Sequence, residues 1–230
     1  MQLSPAPRPA IHIDRQSADY PLRLLDLHDP PESLYIYGDV ALLKLPMIAI
    51  VGSRNASPQG LKIASLYAQG LSKAGALIVS GLARGIDSAA HHAVIKLGPG
   101  HFTAAILGTG IDLVYPRQNA NLSRAIGERG LLISELPMGA GPKAWHFPKR
   151  NRIIAALSMG VLVVEAAEKS GSLITARLAA DLGREVFALP GPICSPNSLG
   201  CHLLIQQGAK LAFRLSDVLE EFDFYLKTPF

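Results

Sequence analysis

Six short apolar runs, separated by segments with helical periodicity, constrain the fold of this chain more than any other feature. The runs are Met47 to Val51, Ala76 to Val79, Thr103 to Leu107, Leu131 to Ile133, Val161 to Val164 and Glu185 to Leu189. Strands that are apolar on both faces are typical of parallel sheets covered by helices on both sides. The pattern therefore predicts an α/β protein: an extended Rossmann-like, doubly wound, mostly parallel sheet flanked by helices.

The segments between these runs carry signals for helix ends. Ser57 is a predicted N-cap, Pro58 takes the first helical position, and Gly75 ends that helix. Asp87 is predicted to cap a second helix, which ends at Gly98. Three more helices are predicted at Leu122 to Ile126, Ile153 to Leu157 and Ser172 to Leu182.

The chain of 230 residues, 49% hydrophobic and 17% charged, has the composition of a folded protein. We predict a flexible N-terminal arm over 1–18, a Rossmann-like domain over 19–215 and a C-terminal helix and tail over 216–230. The doubly wound core itself is expected from Leu45 to Phe213, preceded by an irregular lead-in at Tyr35 to Tyr37. No run approaches the ~20 apolar residues of a membrane helix and no secretion signal is recognisable, so we expect a cytoplasmic protein without membrane contact.

The cysteine content argues against a disulfide framework or a metal site. Cys194 and Cys201 are the two cysteines of the chain, and His202 is a lone further candidate ligand. A structural zinc site needs more ligands at tighter spacing. We expect reduced thiols, no metal and no cofactor.

One segment concentrates positive charge, although the formal net charge of the chain is only +4. Between Lys143 and Arg152, five basic or histidine side chains alternate with Trp145 and Phe147, and no carboxylate interrupts them. Cations bind phosphates and aromatic rings stack on bases, so the segment is typical of a nucleic-acid site. The alternative is a solvated basic face with both aromatic rings in the core.

Loops at the carboxyl ends of parallel strands hold the ligands of open α/β sheets. Three such loops are rich in glycine and hydroxyl groups, and the predicted anion-binding residues in them are Gly52, Ser53, Arg54, Gly81, Ala83, Gly85, Ser170, Gly171, Ser172 and Thr175. Two of these loops lead into helix N-termini, whose N–H groups and positive dipole attract anions. The alternative is that the glycines serve tight turns and the serines serve as caps. Three loops beside one basic segment suit a polyanion better than a single phosphate.

Several nucleotide-binding and catalytic classes are disfavoured. The first loop lacks the GxGxxG spacing, and Ser80 with Gly81 stands where a dinucleotide site has a ribose-binding carboxylate. No GxxxxGK[ST] motif occurs, which argues against a P-loop nucleotidase. Asp87 and His91 share a helical face and could form an acid/base pair, but capping and local hydrogen bonding explain them better.

The motifs, taken in order, resemble a known family. They are Gly52-Ser53-Arg54, GLARGIDSAAH from Gly81 to His91, FPKRNRIIAALS from Phe147 to Ser158, VEAAEKSGSLIT from Val164 to Thr175, ALPG from Ala188 to Gly191 and LIQQGA from Leu204 to Ala209. Together they resemble the DNA processing protein A family, DprA or Smf, from about Tyr20 to Phe213.

The resemblance implies a non-enzymatic protein of natural transformation that binds and protects incoming single-stranded DNA. It also implies a RecA-type recombinase as a partner, which the protein helps to load onto the strand. Gly52, Ser53 and Arg54 would then hold a backbone phosphate. The rest of the basic pocket would consist of Lys143, Phe147, Arg150, Asn151 and Arg152.

The resemblance further implies a homodimer joined through the C-terminal part of the Rossmann domain, here Leu178 to Leu215, where RecA is also expected to bind. Many members carry a helical domain before the core and a winged-helix-like domain after it. Neither fits within residues 1–19 or 216–230.

Two other functions compete with DNA binding. One is a nucleoside-monophosphate phosphoribohydrolase, similar to cytokinin-activating enzymes with this type of fold. Those enzymes carry PGGxGTxxE where this chain has Ser170 to Thr175, so the catalytic glutamate is missing from that spacing. The other is a small-nucleotide sensor, which would bind mononucleotides without preferring longer strands.

Overall fold

The computed structural model describes residues 10–227, the last five through their backbone alone. The predicted arm up to residue 9 and the tail from residue 228 lie outside the described residues. The strands are β1 (Ile11–Asp14), β2 (Ser33–Gly38), β3 (Met47–Val51), β4 (Leu77–Ser80), β5 (Thr103–Ile106), β6 (Leu131–Ser134), β7 (Gly160–Val163), β8 (Glu185–Ala188) and β9 (Lys210–Leu211). The α-helices are α1 (Pro58–Lys73), α2 (Ile86–Leu97), α3 (Ala120–Arg129), α4 (His146–Leu157), α5 (Ser172–Asp181), α6 (Leu199–Gln206) and α7 (Leu215–Lys227).

The strands form one sheet in the order β1-β2-β6-β5-β4-β3-β7-β8-β9. Strands β3 to β9 run parallel, and β1 and β2 join one edge in antiparallel pairing. From β3 the chain moves outward through β4, β5 and β6, then crosses back to β7 and continues to β8 and β9. This arrangement confirms the predicted doubly wound α/β class. It places the topological switch point, where such sheets bind ligands, between β3 and β7.

Both faces of the sheet are covered by helices, as the apolar runs predicted. Along β3, Ala49 and Val51 belong to the core cluster under α4, α5 and α6, whereas Ile48 and Ile50 pack under α1, α2 and α7. All five residues of β3 are buried. The central strands therefore form a rigid base for the loops at their carboxyl ends.

The N-terminal edge of the sheet differs from the prediction. Ile11–Asp14, placed in a flexible arm, pairs with β2, and Tyr35 to Tyr37 lie within β2 instead of an irregular lead-in. Leu34 and Ile36 are buried and alternate with half-buried neighbours, so β2 has the period-2 pattern of a half-buried strand. The four residues of β1 include a single buried side chain, which is too weak a signal to predict from composition.

The helix starts match the predictions at α1 but not at α2. Ser57 caps α1, and its Oγ accepts a hydrogen bond from the Gly60 N–H at 2.9 Å. Helix α2 begins at Ile86, so Asp87 lies inside its first turn and the prediction of an Asp87 N-cap is wrong. The carboxylate is buried and bonded to the preceding loop instead. Helix α4 starts at His146, earlier than predicted, and α6 and β9 are elements that the sequence analysis did not identify.

Within residues 10–227, no helix is long and apolar enough to cross a membrane. Cys194 is exposed and Cys201 is buried, both as free thiols, and burial raises the pKa of the Cys201 thiol to about 12. The part of the chain that the structure describes contains no group of three or more candidate metal ligands.

Candidate nucleic-acid interface

A cavity of about 400 Å³ opens at the switch point, over the carboxyl ends of β3, β4 and β7. We call it the polar cavity. Its wall includes ten of the residues predicted from sequence: Gly52, Ser53, Arg54, Ala83, Arg150, Asn151, Ser170, Gly171, Ser172 and Thr175. The three predicted loops and the start of α4 therefore do meet at one place. The role of these residues in binding DNA stays a prediction.

The loop between β3 and α1 is clamped by its two neighbours. The Ser53 N–H donates to the Glu165 carbonyl at 2.7 Å, and the Ile86 N–H donates to the Ser53 carbonyl at 3.2 Å. Gly85 does not line the cavity, but its φ of 75° and its packing against the Ser53 carbonyl leave no room for a Cβ. A glycine at this position is therefore required for the close approach of the β3–α1 and β4–α2 loops.

The N-terminus of α1 is already occupied by a carboxylate of the chain itself. Glu165 Oε2 accepts from the Ser57 N–H at 2.9 Å, and the Ser57 hydroxyl donates to Glu165 Oε1 at 2.5 Å. A negative charge beside a helix N-terminus is stabilised by the helix dipole, so Glu165 takes the place that an external anion would have. The expectation that the start of α1 is open to an anion is therefore wrong. Exposed Arg54, in the wall of the cavity, remains the cationic group of this loop.

Arg150 lies at the base of the polar cavity, between the β4–α2 loop and the end of β5. Its buried guanidinium donates through Nη1 to the carbonyls of Gly81, at 2.6 Å, and Ile106, and through Nε to Asn151 Oδ1 at 3.1 Å. Burial lowers the pKa of Arg150 to about 10, so the group stays protonated at neutral pH. It contributes fixed positive charge at the base of the cavity while holding the β4–α2 loop to β5. Gly81 packs flat against this guanidinium, and a Cβ there would collide with it.

Asp87 and His91 do not form an acid/base pair in the cavity. The Asp87 carboxylate accepts from the Gly81 and Ala83 N–H groups at 3.1 and 3.3 Å, and burial raises its pKa against the opposing effect of Arg150. His91 is fully buried, lies outside the cavity wall and bonds through Nδ1 to Thr103 Oγ1 at 2.7 Å. Burial lowers the pKa of His91 to about 3, so it is neutral.

A second cavity of about 340 Å³ adjoins the first, and we call it the aromatic cavity. It shares Arg54, Ala83 and Arg150 with the polar cavity, and its other wall includes Tyr115 and Phe147. The ring centroids of Tyr115 and Phe147 lie 5.4 Å apart, and the Arg54 guanidinium carbon lies 5.7 Å from the Phe147 centroid. The two rings can therefore offer an apolar surface to a flat group, next to a cation.

Two predicted pocket residues lie elsewhere. Lys143 lines neither cavity, and its Nζ lies 5.9 Å from the ring centroid of exposed Trp145. Arg152 is buried in an ion-pair cluster with Glu135 and with Asp29, the latter at 3.3 Å. The prediction that Arg152 belongs to the basic pocket is wrong. Two positions along a helix correspond to a rotation of about 200°, so Arg150 and Arg152 point in opposite directions.

Several polar residues of the two cavities were not predicted from the sequence. Lys169 and Asn55 line the polar cavity, and Arg84 and Gln118 line the aromatic cavity. Lys169 directly precedes Ser170, and Arg84 lies inside the glycine-rich second loop. Lys169 and Arg84 could have been identified from the sequence because each is a cation adjacent to predicted anion-binding positions.

Comparison with known proteins decides the family. The family model described as DNA recombination-mediator protein A matches residues 12–223. The chain belongs to this family. It is 49% identical over 205 residues to DNA processing protein DprA of Streptococcus pneumoniae, covering 89% of this chain and 72% of that protein. It is 46% identical over 215 residues to protein Smf of Escherichia coli, covering 93% of this chain and 57% of that protein. The resemblance to DprA and Smf is thus confirmed.

A solved structure of the same family superposes closely. DNA processing protein A of Helicobacter pylori matches with a TM-score of 0.84 and 32% identity, over 93% of this chain and 97% of that one. That structure is described as revealing a unique single-stranded DNA binding mode of the H. pylori protein. The fold that carries the two cavities is therefore the fold of a DNA recombination-mediator protein.

Proposed function

We propose that this recombination-mediator chain binds single-stranded DNA, with a backbone phosphate in the polar cavity and an unpaired base in the aromatic cavity. The observation that carries the proposal is the wall common to both cavities, formed by Arg54, Ala83 and Arg150. A phosphate on one side of this wall and a base on the other belong to the same short stretch of strand. The single-stranded DNA binding described for the H. pylori relative supports the same assignment.

Physical chemistry favours single strands over duplex at this site. A guanidinium recognises phosphate oxygens through short, charge-assisted hydrogen bonds, and Arg54 is exposed at the cavity rim. Stacking on the ring of Tyr115 or Phe147 requires a base with a free face, and paired bases in a duplex are already stacked. Contacts of this kind bind with weak sequence preference and with a strong dependence on salt.

The primary experiment measures fluorescence anisotropy of labelled oligo-dT and of a matched duplex at two salt concentrations. We expect tighter binding of oligo-dT, and a fall in log K with log salt that reports the number of phosphates contacted. Equal affinity for duplex DNA, or binding that does not depend on salt, would contradict the proposal. A mononucleotide that competes as strongly as a long strand would instead support the small-nucleotide sensor.

We also propose that the chain has no catalytic activity. This proposal is supported by the hydrogen bonds that the two carboxylates beside the switch point already make. Glu165 is bonded to Ser57, and Asp87 is bonded to the loop backbone. A phosphoribohydrolase requires a carboxylate available to the substrate. Incubation with AMP should release no adenine, and enzymatic turnover would overturn this part of the proposal.

We propose that the chain also has the wider role implied by the family resemblance. It would protect incoming DNA during natural transformation and load a RecA-type recombinase onto it, both in the cytoplasm. We expect the chain to accelerate assembly of a RecA-type recombinase on single strands already covered by a competing binding protein. Recombinase assembly that is unchanged by the chain, while oligo-dT binding persists, would contradict loading but not DNA binding.

A homodimer is proposed through the segment from Leu178 to Leu215. This segment carries exposed apolar side chains, among them Ile193, Leu211 and Phe213. Exposed apolar groups of this size are typical of protein interfaces. Light scattering should give twice the mass of the chain, and a monomer at micromolar concentration would contradict the proposed dimer.

A further inference from the structure

Trp145 is an exposed aromatic side chain that neither cavity uses. It is the single tryptophan of the chain, it holds the N-cap position of α4, and its side chain is 58% exposed. Its ring meets the buried His146 ring edge-on at a centroid distance of 4.1 Å. One side of the indole is therefore fixed against the protein while the rest faces solvent, where a large apolar ring is uncommon.

The loops around Trp145 are held together by hydrogen bonds. The Gly139 N–H donates to the Asp112 carboxylate at 2.9 and 3.0 Å, and the Gly110 N–H donates to the Ala140 carbonyl at 2.8 Å. These bonds join the β5–α3 loop to the β6–α4 loop. The two loops also expose Leu113, Tyr115 and Met138. Trp145 thus belongs to an ordered surface that continues from the aromatic cavity, whose Tyr115 lies on the same pair of loops.

The charges near the indole favour an anionic ligand. Lys143 Nζ lies 5.9 Å from the Trp145 centroid, and no carboxylate occurs between residues 143 and 152. The two loops carry two carboxylates, Asp112, which accepts the Gly139 N–H, and Glu135, which pairs with Lys149 and Arg152. A strand of nucleic acid, with flat bases and charged phosphates, fits a ring beside a lysine.

We propose that Trp145 and Lys143 form a second stacking site for the bound strand, outside the two cavities. A base stacks on the indole of Trp145 while Lys143 contacts a neighbouring phosphate. The site rests on the proposed function, because its occupant is the same DNA strand that enters the aromatic cavity. The two sites are linked by the paired loops, since Trp145 ends the β6–α4 loop and Tyr115 of the aromatic cavity lies on the β5–α3 loop bonded to it.

The emission of the single tryptophan makes the site directly measurable. We expect saturable quenching of Trp145 fluorescence by oligo-dT of twelve nucleotides, reduced access of acrylamide to the indole, and neither effect with dTMP. Long oligonucleotides that bind by anisotropy but leave emission and access unchanged would overturn the inference while leaving the proposed function intact. Quenching by dTMP at the same concentration of nucleotide would also overturn it, because Trp145 would then belong to the first binding site.

Variants separate stacking from a merely structural role. Trp145→Ala should weaken binding of the twelve-nucleotide strand about tenfold, as expected for loss of one stacked base, and should leave dTMP binding unchanged. Trp145→Phe should restore most of the affinity, because a phenyl ring also stacks. Leu22→Ala, at an exposed apolar residue near the opposite edge of the sheet, is the matched control and should bind as the wild type does.

Equal affinity of Trp145→Ala and wild type for the long strand, with both proteins folded by circular dichroism, would overturn the proposal. A Trp145→Ala variant that binds DNA normally but no longer interacts with a protein partner would overturn it in favour of a protein interface.

Discussion

The two edges of the sheet carry cavities of similar volume but opposite chemistry. The polar cavity at the carboxyl edge measures about 400 Å³ and is lined by glycines, hydroxyls and cations, together with the Asp87 carboxylate. The cavity at the amino edge measures about 460 Å³, and its wall is largely apolar, with Leu22, Leu43, Met47 and Met159. Volume therefore does not distinguish a binding site in this protein. The proposed binding site is distinguished instead by the convergence of guanidinium groups and of loops with short side chains.

The difference between the edges follows from chain direction. Loops at the carboxyl edge lead from strands into helix starts, where N–H groups and positive dipole ends lie, whereas loops at the amino edge leave helix ends. Even so, one of these helix starts is closed by Glu165, so the dipole of α1 does not serve the cavity. The positive character of the carboxyl edge depends mainly on side chains, of which Arg54 and Arg150 are shared by both cavities.

The largest expected effect comes from removing the buried cation of the carboxyl edge. Arg150→Met should lower the free energy of unfolding by about 3 kcal/mol, because the Gly81 and Ile106 carbonyls lose their donor and Asp87 loses its compensating charge. Denaturant titration measures this change. Lys44→Met, in the wall of the amino-edge cavity, should change stability by less than about 0.5 kcal/mol. Equal free energies of unfolding for the two variants would contradict the claim that the buried cation of the carboxyl edge holds its loops together.

Arg54→Ala should weaken binding of oligo-dT about tenfold or more at low salt without lowering stability, since the side chain is exposed. Loss of one phosphate contact on a single strand should also reduce the slope of log K against log salt by about 0.7. Anisotropy titrations at several salt concentrations measure both quantities. An unchanged slope in the folded variant would show that Arg54 contacts no phosphate.

The buried histidine behind the carboxyl edge predicts a pH effect of intermediate size. Its pKa falls from 6.5 to about 3 on folding, so below pH 6.5 the unfolded chain gains a proton that the folded protein does not. Stability present above pH 6.5 should be lost at about 1 kcal/mol for each pH unit below it. In His91→Asn, whose amide can still donate to Thr103, this loss should shrink accordingly between pH 6.5 and 5.5. Identical pH profiles for the variant and the wild type would contradict a neutral buried His91.

The smallest effect on DNA binding is expected from removal of an exposed lysine at the carboxyl edge, compared with removal of one at the amino edge. Lys169→Ala, at the polar cavity, should weaken oligo-dT binding two- to threefold at low salt and less at high salt. Lys44→Ala makes the same charge change at the amino-edge cavity and should leave binding unchanged. If both variants lost affinity equally, binding would respond to net charge and not to the carboxyl edge.

Much of the central fold could be predicted because its strands are buried on both faces. The bounds of β3 to β8 agree with the apolar runs to within one residue at each end. The edge strands β1 and β9 escaped prediction, because short strands with exposed residues depend on pairing with neighbours more than on their own composition.

The site was predictable in position but only partly in detail. Strand order places the three loops at one edge, and that inference needs only parallel strands. The direction of Arg150 against Arg152 depends on the phase of α4, which residue types alone do not determine. The closure of the α1 start by Glu165 joins residues 108 positions apart, and no local pattern reports such a contact. Lys143 was assigned to the pocket through the family resemblance, but it lies beside Trp145 instead.

Photo-crosslinking tests the central claim most directly. An oligo-dT strand carrying 4-thiothymidine is irradiated on the protein, and the crosslinked peptides are identified by mass spectrometry. We expect crosslinks in the peptides that contain Tyr115, Trp145 and Phe147, at the carboxyl edge. Crosslinks concentrated around Leu22 or Leu43, at the amino edge, would contradict the account.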